Sequence, residues 1–312
     1  MIIISDNMRN GLNYDGNTPK FGVTINGNNF IVKAPKEDDD SVFTEYVASN
    51  FIKNIGYNVH KVGLGYYNGI IGTLHYSGVV DVILDFSKDG RSLHSFKDLG
   101  QSSVDTDLSG KEYTYSDVVY VLENIIKADE KSKDAILHAF WQMYICDAIL
   151  GNRDRHWGNW GFLQDNVSKR IYPAPLYDNG GSLFPGVSGV IKNIFIDPKK
   201  FMYDRTVVFP ASLLRKYNSL EKRYKRTNYK EVFGDLRISK IFAHERSSLI
   251  QNVGLSGIIS AIVMATDDKA IPKDLVNFYR MIVVCRYLCI VERLSFDNAY
   301  LKTIESLRGY VL

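Results

Sequence analysis

The stretch GNRDRHWGNWG, residues 151 to 161, follows an apolar run and sets a carboxylate, Asp154, five residues ahead of a carboxamide, Asn159. That spacing does not fit one face of a straight helix, and Gly151, Gly158 and Gly161 punctuate the stretch, so a loop is expected. On one loop the two side chains can divide two tasks. The carboxylate can orient or deprotonate an attacking hydroxyl, and the amide oxygen can ligate a hard cation such as Mg²⁺. Further on, Asp178 stands before Asn179-Gly180-Gly181. The intervening WGFLQDNVSKRIYPAPLYDN reads as two short strands joined by a polar turn. Such a hairpin would return Asp178 to Asn159 and supply a second oxygen ligand. Taken alone, Asp178 reads as a turn aspartate before glycine.

Three further signals precede these in the chain. Lys33 ends the β-rich run NNFIVK and shares a strand face with Ile31, so it needs a counter-charge if that face points inward. Glu45, on the helix that should follow, is the nearest candidate; its alternative is an exposed helix glutamate. Ahead of the strand, RNGLNYDGNTPKFGV is rich in glycine, amide and hydroxyl groups, and backbone N–H groups around Gly16, Asn17 and Thr18 could cradle phosphate. Each signal is weak by itself. In this order they are the parts of a phosphoryl-transfer site: donors and a lysine for phosphate charge, metal ligands, and a carboxylate for the nucleophile.

The elements that must position these residues fall into two parts. KFGVTING and NNFIVKAP read as a hairpin across an Asn-Gly turn. In DDDSVFTEYVASNFIKNIG the apolar residues Val42, Tyr46, Val47, Phe51 and Ile52 recur at helical spacing, with aspartates before them and Gly56 at the end. NVHKVGLGYYNG, IIGTLHYSG and VVDVILDFS read as three further strands with glycine-containing turns. A polar, Gly/Ser-rich loop follows Lys88. Beyond it helical periodicity dominates, and the last hundred residues read as a helix bundle, with Pro272 in the first turn of a helix beginning near Ile271. The expectation is an α+β, two-lobed fold: a β-rich N-lobe over residues 1–88 and a helical C-lobe over residues 89–312, with the site between them.

Composition narrows the classes. Apolar residues make up 45% and charged residues 23%, as in an ordinary globular chain. The net charge of +3 gives no strong nucleic-acid signal. The one basic cluster, RKYNSLEKRYKR from Arg215 to Arg226, is read as the solvated face of a helix. The three cysteines lack zinc spacing and are read as buried small apolar residues. The N-terminus lacks the features of a secretory signal and no run reaches membrane-spanning length, so a cytoplasmic protein is expected, with secretion or translocation into a host left open.

The segments FIVKAP, SVFTEYVASNFIKNIGYNV, VVDVILDFS, GNRDRHWGNWGFL and APLYDNGGSL together resemble the HipA-like serine/threonine kinases. Within that family the chain looks most like the short members, of the cell-translocating kinase A type and the HipT type. The resemblance implies a two-lobed protein-kinase-like fold that uses ATP and Mg²⁺ on a protein Ser/Thr hydroxyl. It implies that Lys33 contacts ATP phosphates, that Asp154 is the catalytic-loop aspartate, and that Asn159 and Asp178 hold the metal. Backbone groups of Leu84 and Phe86, in ILDFS, would hold the adenine. Thr18 is the nearest hydroxyl to the phosphate-loop serine that family members autophosphorylate. A toxin or effector role, with an antitoxin or host protein as partner, is implied in the same way. Several features depart from the ordinary kinase pattern: Asn152-Arg153-Asp154 stands for His-Arg-Asp, Asn179 replaces the Phe after the metal aspartate, and no Ala-Pro-Glu is legible. Lys33 also lies too early to leave room for the extra N-terminal subdomain of full-length members. The run Asp154-Arg155-His156…Asn159 resembles the loop of phosphoinositide kinases as well, so a lipid or small-molecule kinase is the alternative, and a pseudokinase binding module the third reading.

Overall fold

The computed structural model describes residues 1–12, 14, 18–35, 40–71, 74–85, 90–98, 114–124, 126, 128–208, 211–235 and 238–310. Gly16, Asn17 and Phe86, expected at the nucleotide, lie outside these residues, as does most of the polar loop after Lys88.

Five strands form the first sheet, in the order β1-β4-β5-β3-β2: β1 (Ile2–Ile4), β2 (Lys20–Ile25), β3 (Asn28–Lys33), β4 (Val62–Ile71) and β5 (Leu74–Leu84). The β2–β3 hairpin turns on Asn26 and Gly27, both at positive φ, as a tight two-residue turn requires. The sequence suggests three strands between Asn58 and Ser87, but there are two long ones. Gly65, Gly69 and Gly78 lie inside them rather than at turns. A Cβ at Gly69 would sit 2.4 Å from the Tyr67 hydroxyl, and one at Gly65 would sit 2.7 Å from Val82 Cγ2, so these glycines make room for neighbouring side chains.

Strand alternation gives the sheet two apolar faces. Phe21, Val23, Val32, Tyr67, Val80 and Val82 form a small core on one side. The other side receives α1 (Ser41–Asn54), whose Val42, Val47, Phe51 and Ile52 are buried as the helical spacing predicts. The Asp40 carboxylate does not cap α1. It accepts from the N–H groups of Gly186 and Ser188 instead, fastening the start of the helix to the segment beyond the glycine pair.

Further helices among the described residues are α2 (Tyr115–Asn124), α3 (Glu130–Leu150), α4 (Pro198–Thr206), α5 (Tyr229–Gly234), α6 (Lys240–Asn252), α7 (Gly254–Ala265), α8 (Lys273–Arg286) and α9 (Phe296–Ser306). The core of these helices is continuous with the buried face of α1, and Asn54 Nδ2 donates to Ala261 O at 3.1 Å. Pro272 occupies the N-cap position of α8, two residues from the expected start. The central helix is α3. Asp129 caps it by accepting from Ser132 N, and it ends at Gly151 in the left-handed conformation. The fully buried Arg286 donates to Ala148 O through Nε and Nη2, at 2.9 and 2.6 Å, capping the last turn of α3 where a cation is favoured. Burial pulls its pKa down to about 10. No single helix among the described residues is long and apolar enough to cross a membrane.

Two smaller sheets complete the fold. β6 (Arg91–Ser95), β7 (Gly161–Asp165) and β8 (Ile171–Pro173) form one; β7 and β8 are the expected hairpin between Asn159 and Asp178. The other corrects the reading of the basic cluster. Arg215–Arg226 is no helix face but an antiparallel ribbon of β9 (Ala211–Asn218) and β10 (Arg223–Asn228), closed by a turn with Lys222 at positive φ. The last hundred residues are therefore not purely helical. Alternating Tyr and basic residues satisfy a strand period as readily as a helical one, and the Asn218-Ser219 turn signal decides between them.

Candidate active site

β3 directs Lys33 toward α1. Its Nζ lies 3.2 Å from Asp178 Oδ1 and 4.0 Å from Glu45 Oε2. Burial disfavours the ammonium ion, but Glu45, Asp178 and Asp81 outweigh it and raise its proton affinity. Glu45 is buried. Its Oε1 accepts from the Asn179 N–H at 3.1 Å and from Ser49 Oγ at 3.2 Å, and lies 2.8 Å from His60 Nε2. Burial opposes its charge, but His60, Lys33 and the Asn179 N–H together hold its carboxyl well below the usual range.

The segment carrying Asp178 is tightly constrained. Asp178 has φ 56°, a left-handed conformation that aspartate tolerates better than most residues. Beyond Asn179 come two glycines, the second where no side chain fits and the first where one would crowd Glu45. A Cβ at Gly181 would meet Asn152 Oδ1 at 2.6 Å and Asp154 Cβ at 2.7 Å, while one at Gly180 would meet Glu45 Oε2 at 3.2 Å. Arg153 N donates to Gly181 O at 3.1 Å, joining the two loops. Asn179, where ordinary kinases have Phe, is fully buried. Its Nδ2 donates to Ser49 Oγ at 3.0 Å and its Oδ1 accepts from Arg155.

Arg155 organises the loop. Nε and Nη2 pair with Asp147 at 2.8 and 3.0 Å. Nη1 donates to the carbonyls of Asn159 and Tyr177, both at 2.7 Å, and Nη2 also reaches Asn179 Oδ1 at 2.8 Å. All five donors of the guanidinium are thus engaged, and the two ends of the β7–β8 hairpin are tied to one buried group. Burial alone would lower its proton affinity; Asp147 more than offsets that and raises it. Trp160 stacks on Phe96 at 4.7 Å and packs on Phe140 of α3, anchoring the far end of the loop. His156 is exposed and accepts from Gly158 N at 3.1 Å, a local turn contact.

A cleft of about 310 Å³ brings together Thr18, Lys33, Glu45, Asp154 and Asp178. Asp154 is exposed there, and its backbone N–H is fixed by Asn152 Oδ1 at 3.0 Å. Asn159 is not among the lining residues. It is buried behind Asp154, with its NH₂ donated to Asp154 O at 3.1 Å. Leu84 does not line the cleft either, and its N–H donates to Lys61 O at 2.9 Å, so that group is not open to adenine.

Sequence reasoning missed Asp81. The β3–β5 register sets it directly opposite Lys33, it lines the cleft, and its buried Oδ1 has no hydrogen-bond partner among the described residues. Burial first, then Glu45, raises its pKa well above the usual carboxylate range, with Lys33 opposing. A raised folded-state pKa means a contribution to stability that is complete below the unfolded value of about 4 and is lost as pH rises above it. Asp81→Asn keeps the shape without the charge. It should stabilise the protein at pH 8 by about 1–2 kcal/mol, a gain that vanishes toward pH 4 in thermal melts. If Asp81 is instead a charged partner of Lys33, the variant will melt lower at pH 8.

Comparisons with known proteins bear on the family and the fold. The family model described as HipA-like C-terminal domain matches residues 12–185. The serine/threonine-protein kinase CtkA of Helicobacter pylori is 29% identical over 216 residues, covering 67% of this chain and 63% of that protein, so the matched stretch spans less than two thirds of the relative. The crystal structure of the H. pylori proinflammatory kinase CtkA superposes with a TM-score of 0.73 at 25% identity, covering 92% of this chain and 94% of that one. HipA from Shewanella oneidensis, solved with HipB and operator DNA, shares the fold, with a TM-score of 0.52 at 15% identity over 95% of this chain and 68% of that one.

Proposed function

The chain belongs to the HipA-like C-terminal domain family, and from that premise we propose that it is an ATP- and Mg²⁺-dependent kinase of protein serine and threonine hydroxyls. The observation that carries this reading is the meeting of Lys33, Glu45, Asp178 and Asp154 around one cleft. In it, residues 1–88 form the nucleotide-holding lobe and residues 89–312 the lobe that presents the catalytic and metal loops.

Glu45, held by His60 and Asn179, aims Lys33 at phosphate oxygens. Asp154, exposed on a loop braced from beneath, accepts the proton of the attacking hydroxyl. Asp178 and the amide oxygen of Asn159 are the metal ligands in this reading. Among the described residues no three His, Cys, Asp or Glu side chains form a metal cage. The donor set suits Mg²⁺, which is held by one or two protein oxygens together with substrate phosphates. When bound, Mg-ATP supplies the phosphoryl group and screens its charge. A toxin or effector role, with an antitoxin or host protein as partner, belongs to the same proposal.

Intact mass before and after incubation with Mg-ATP tests it. One added phosphate is expected on Thr18, which lines the cleft, and phosphopeptide mapping should place it there. Unchanged mass, with no transfer to any added protein, would sink the enzyme reading; phosphate elsewhere would sink Thr18 alone.

A further inference from the structure

A cavity of about 230 Å³ lies among α4, the starts of α5 and α9, and a five-residue π-helical turn, Tyr287–Val291, that continues α8. It shares no lining residue with the cleft. Its walls are largely apolar: Tyr203, Val207, Ile290, Leu294 and Phe296. Tyr203 and Phe296 meet edge to face at 5.1 Å. The π turn supplies Cys289 and Ile290 to the wall. Such turns are rare in helices and are frequent at functional sites. An apolar cavity of about 150 Å³ holds benzene, so this one has room for about ten heavy atoms.

Among the described residues, Lys230 is the one charged group that lines the cavity, and no carboxylate pairs with it. Cys285 and burial push the Cys289 thiol up, while Arg286 and Lys230 oppose them, so the field of Lys230 reaches the wall. The carboxylates that neighbour the lining residues in the chain are turned elsewhere. Asp204 faces Lys200 at 3.3 Å, Asp297 faces Lys199 at 2.7 Å, and Glu292 faces Lys302 at 3.6 Å. Glu231 is not in the wall, and its Oε1 accepts from Asn228 Nδ2 at 2.7 Å. The result is an apolar hollow with a single cation in its wall. A carboxylate carried on an aromatic ring meets both features: the ring packs on Tyr203 and Phe296, and the carboxylate meets Lys230.

We propose that this cavity is a regulatory site for a small aromatic carboxylate. The regulatory part rests on the kinase reading; the binding part does not. Two walls lead to the catalytic loop. Tyr229 packs edge to face on Tyr144 of α3 at 5.1 Å, and its hydroxyl donates to Asn152 O at 3.5 Å, two residues before Asp154. On another wall, the Thr206 carbonyl accepts from Arg286 Nη1 at 3.5 Å. Arg286 is the residue that caps the last turn of α3 at Ala148 O. A ring in the cavity packs against Tyr229 on its open side and tightens the long contact to Asn152. The loop that carries Asp154 is then braced more firmly, and transfer is faster at unchanged affinity for Mg-ATP.

The test uses the full chain with phenylacetate as the probe, and binding is followed by ligand-observed NMR. Phenylacetate should bind about fivefold more tightly than phenylacetamide, its neutral counterpart, because the lysine is exposed and its charge partly screened. Lys230→Met keeps the apolar stem and should erase that preference with an unchanged melting temperature. Leu294→Trp fills the hollow and should weaken phenylacetate by about tenfold or more, with a thermal melt to show that the variant is folded. At saturating Mg-ATP, bound phenylacetate should raise the rate of transfer about threefold and leave the KM for ATP unchanged. Absent binding overturns the proposal, as does equal binding of phenylacetate and phenylacetamide, or binding that survives Leu294→Trp in a folded variant. Binding with no rise in transfer overturns the regulatory role. Lys230-dependent binding to a wild type that transfers no phosphate would support the carboxylate site and remove the kinase reading.

Discussion

Asp154→Ala and Asp178→Asn are each expected to reduce phosphoryl transfer by about a thousandfold or more, for different reasons that one binding measurement separates. Asp154 is exposed, and its carboxylate makes no hydrogen bond among the described residues. Removing it should leave the melting temperature unchanged and leave intact the stabilisation by Mg-ATP. Asp178 instead lies 3.2 Å from Lys33 and is the proposed metal ligand. Its loss should abolish the part of the nucleotide-induced thermal shift that depends on Mg²⁺, while ATP without metal still binds. Asparagine is the better substitute, because the residue has φ 56° and alanine there would add backbone strain to the loss of charge. Transfer at wild-type rates in either variant would remove that residue from the chemistry.

The sequence made part of this site legible, because strand and helix periods encode direction. Parity with Ile31 pointed Lys33 to one side of β3, and Glu45 followed on the next helix, so their pairing could be expected. The hairpin between Asn159 and Asp178 was readable because its strands and polar turn are local. Asp81 was not readable. Its segment reads as a strand, but which residue of β3 it faces depends on register, which no local pattern states. The ribbon at Arg215–Arg226 failed for another reason: a run of basic residues and tyrosines fits two periods. Asn159 follows from its spacing to Asp154 and from the resemblance, and Leu84 from the resemblance alone; neither states exposure. Asn159 is recessed behind Asp154, and the Leu84 N–H is committed to Lys61.

Arg155 was the least readable residue and carries the second large prediction. Its partners, Asp147, Asn159, Tyr177 and Asn179, come from a helix, a loop and both sides of a hairpin. Arg155→Met leaves Asp147 buried without its counter-ion and should cost about 3–5 kcal/mol, a fall in melting temperature of about 5–8 °C for a chain of this length. Arg155→Lys should do little better, since an ammonium cannot reproduce the five-donor fork. Adding Asp147→Leu to Arg155→Met removes the stranded charge, so much of the lost stability should return. Activity should not return with it. The carbonyls of Asn159 and Tyr177 and the amide of Asn179 would still lack their donor, and these hold the proposed metal residues against the catalytic loop. Recovered stability with lost transfer assigns Arg155 to positioning the loops. Recovery of both would reduce it to a packing residue.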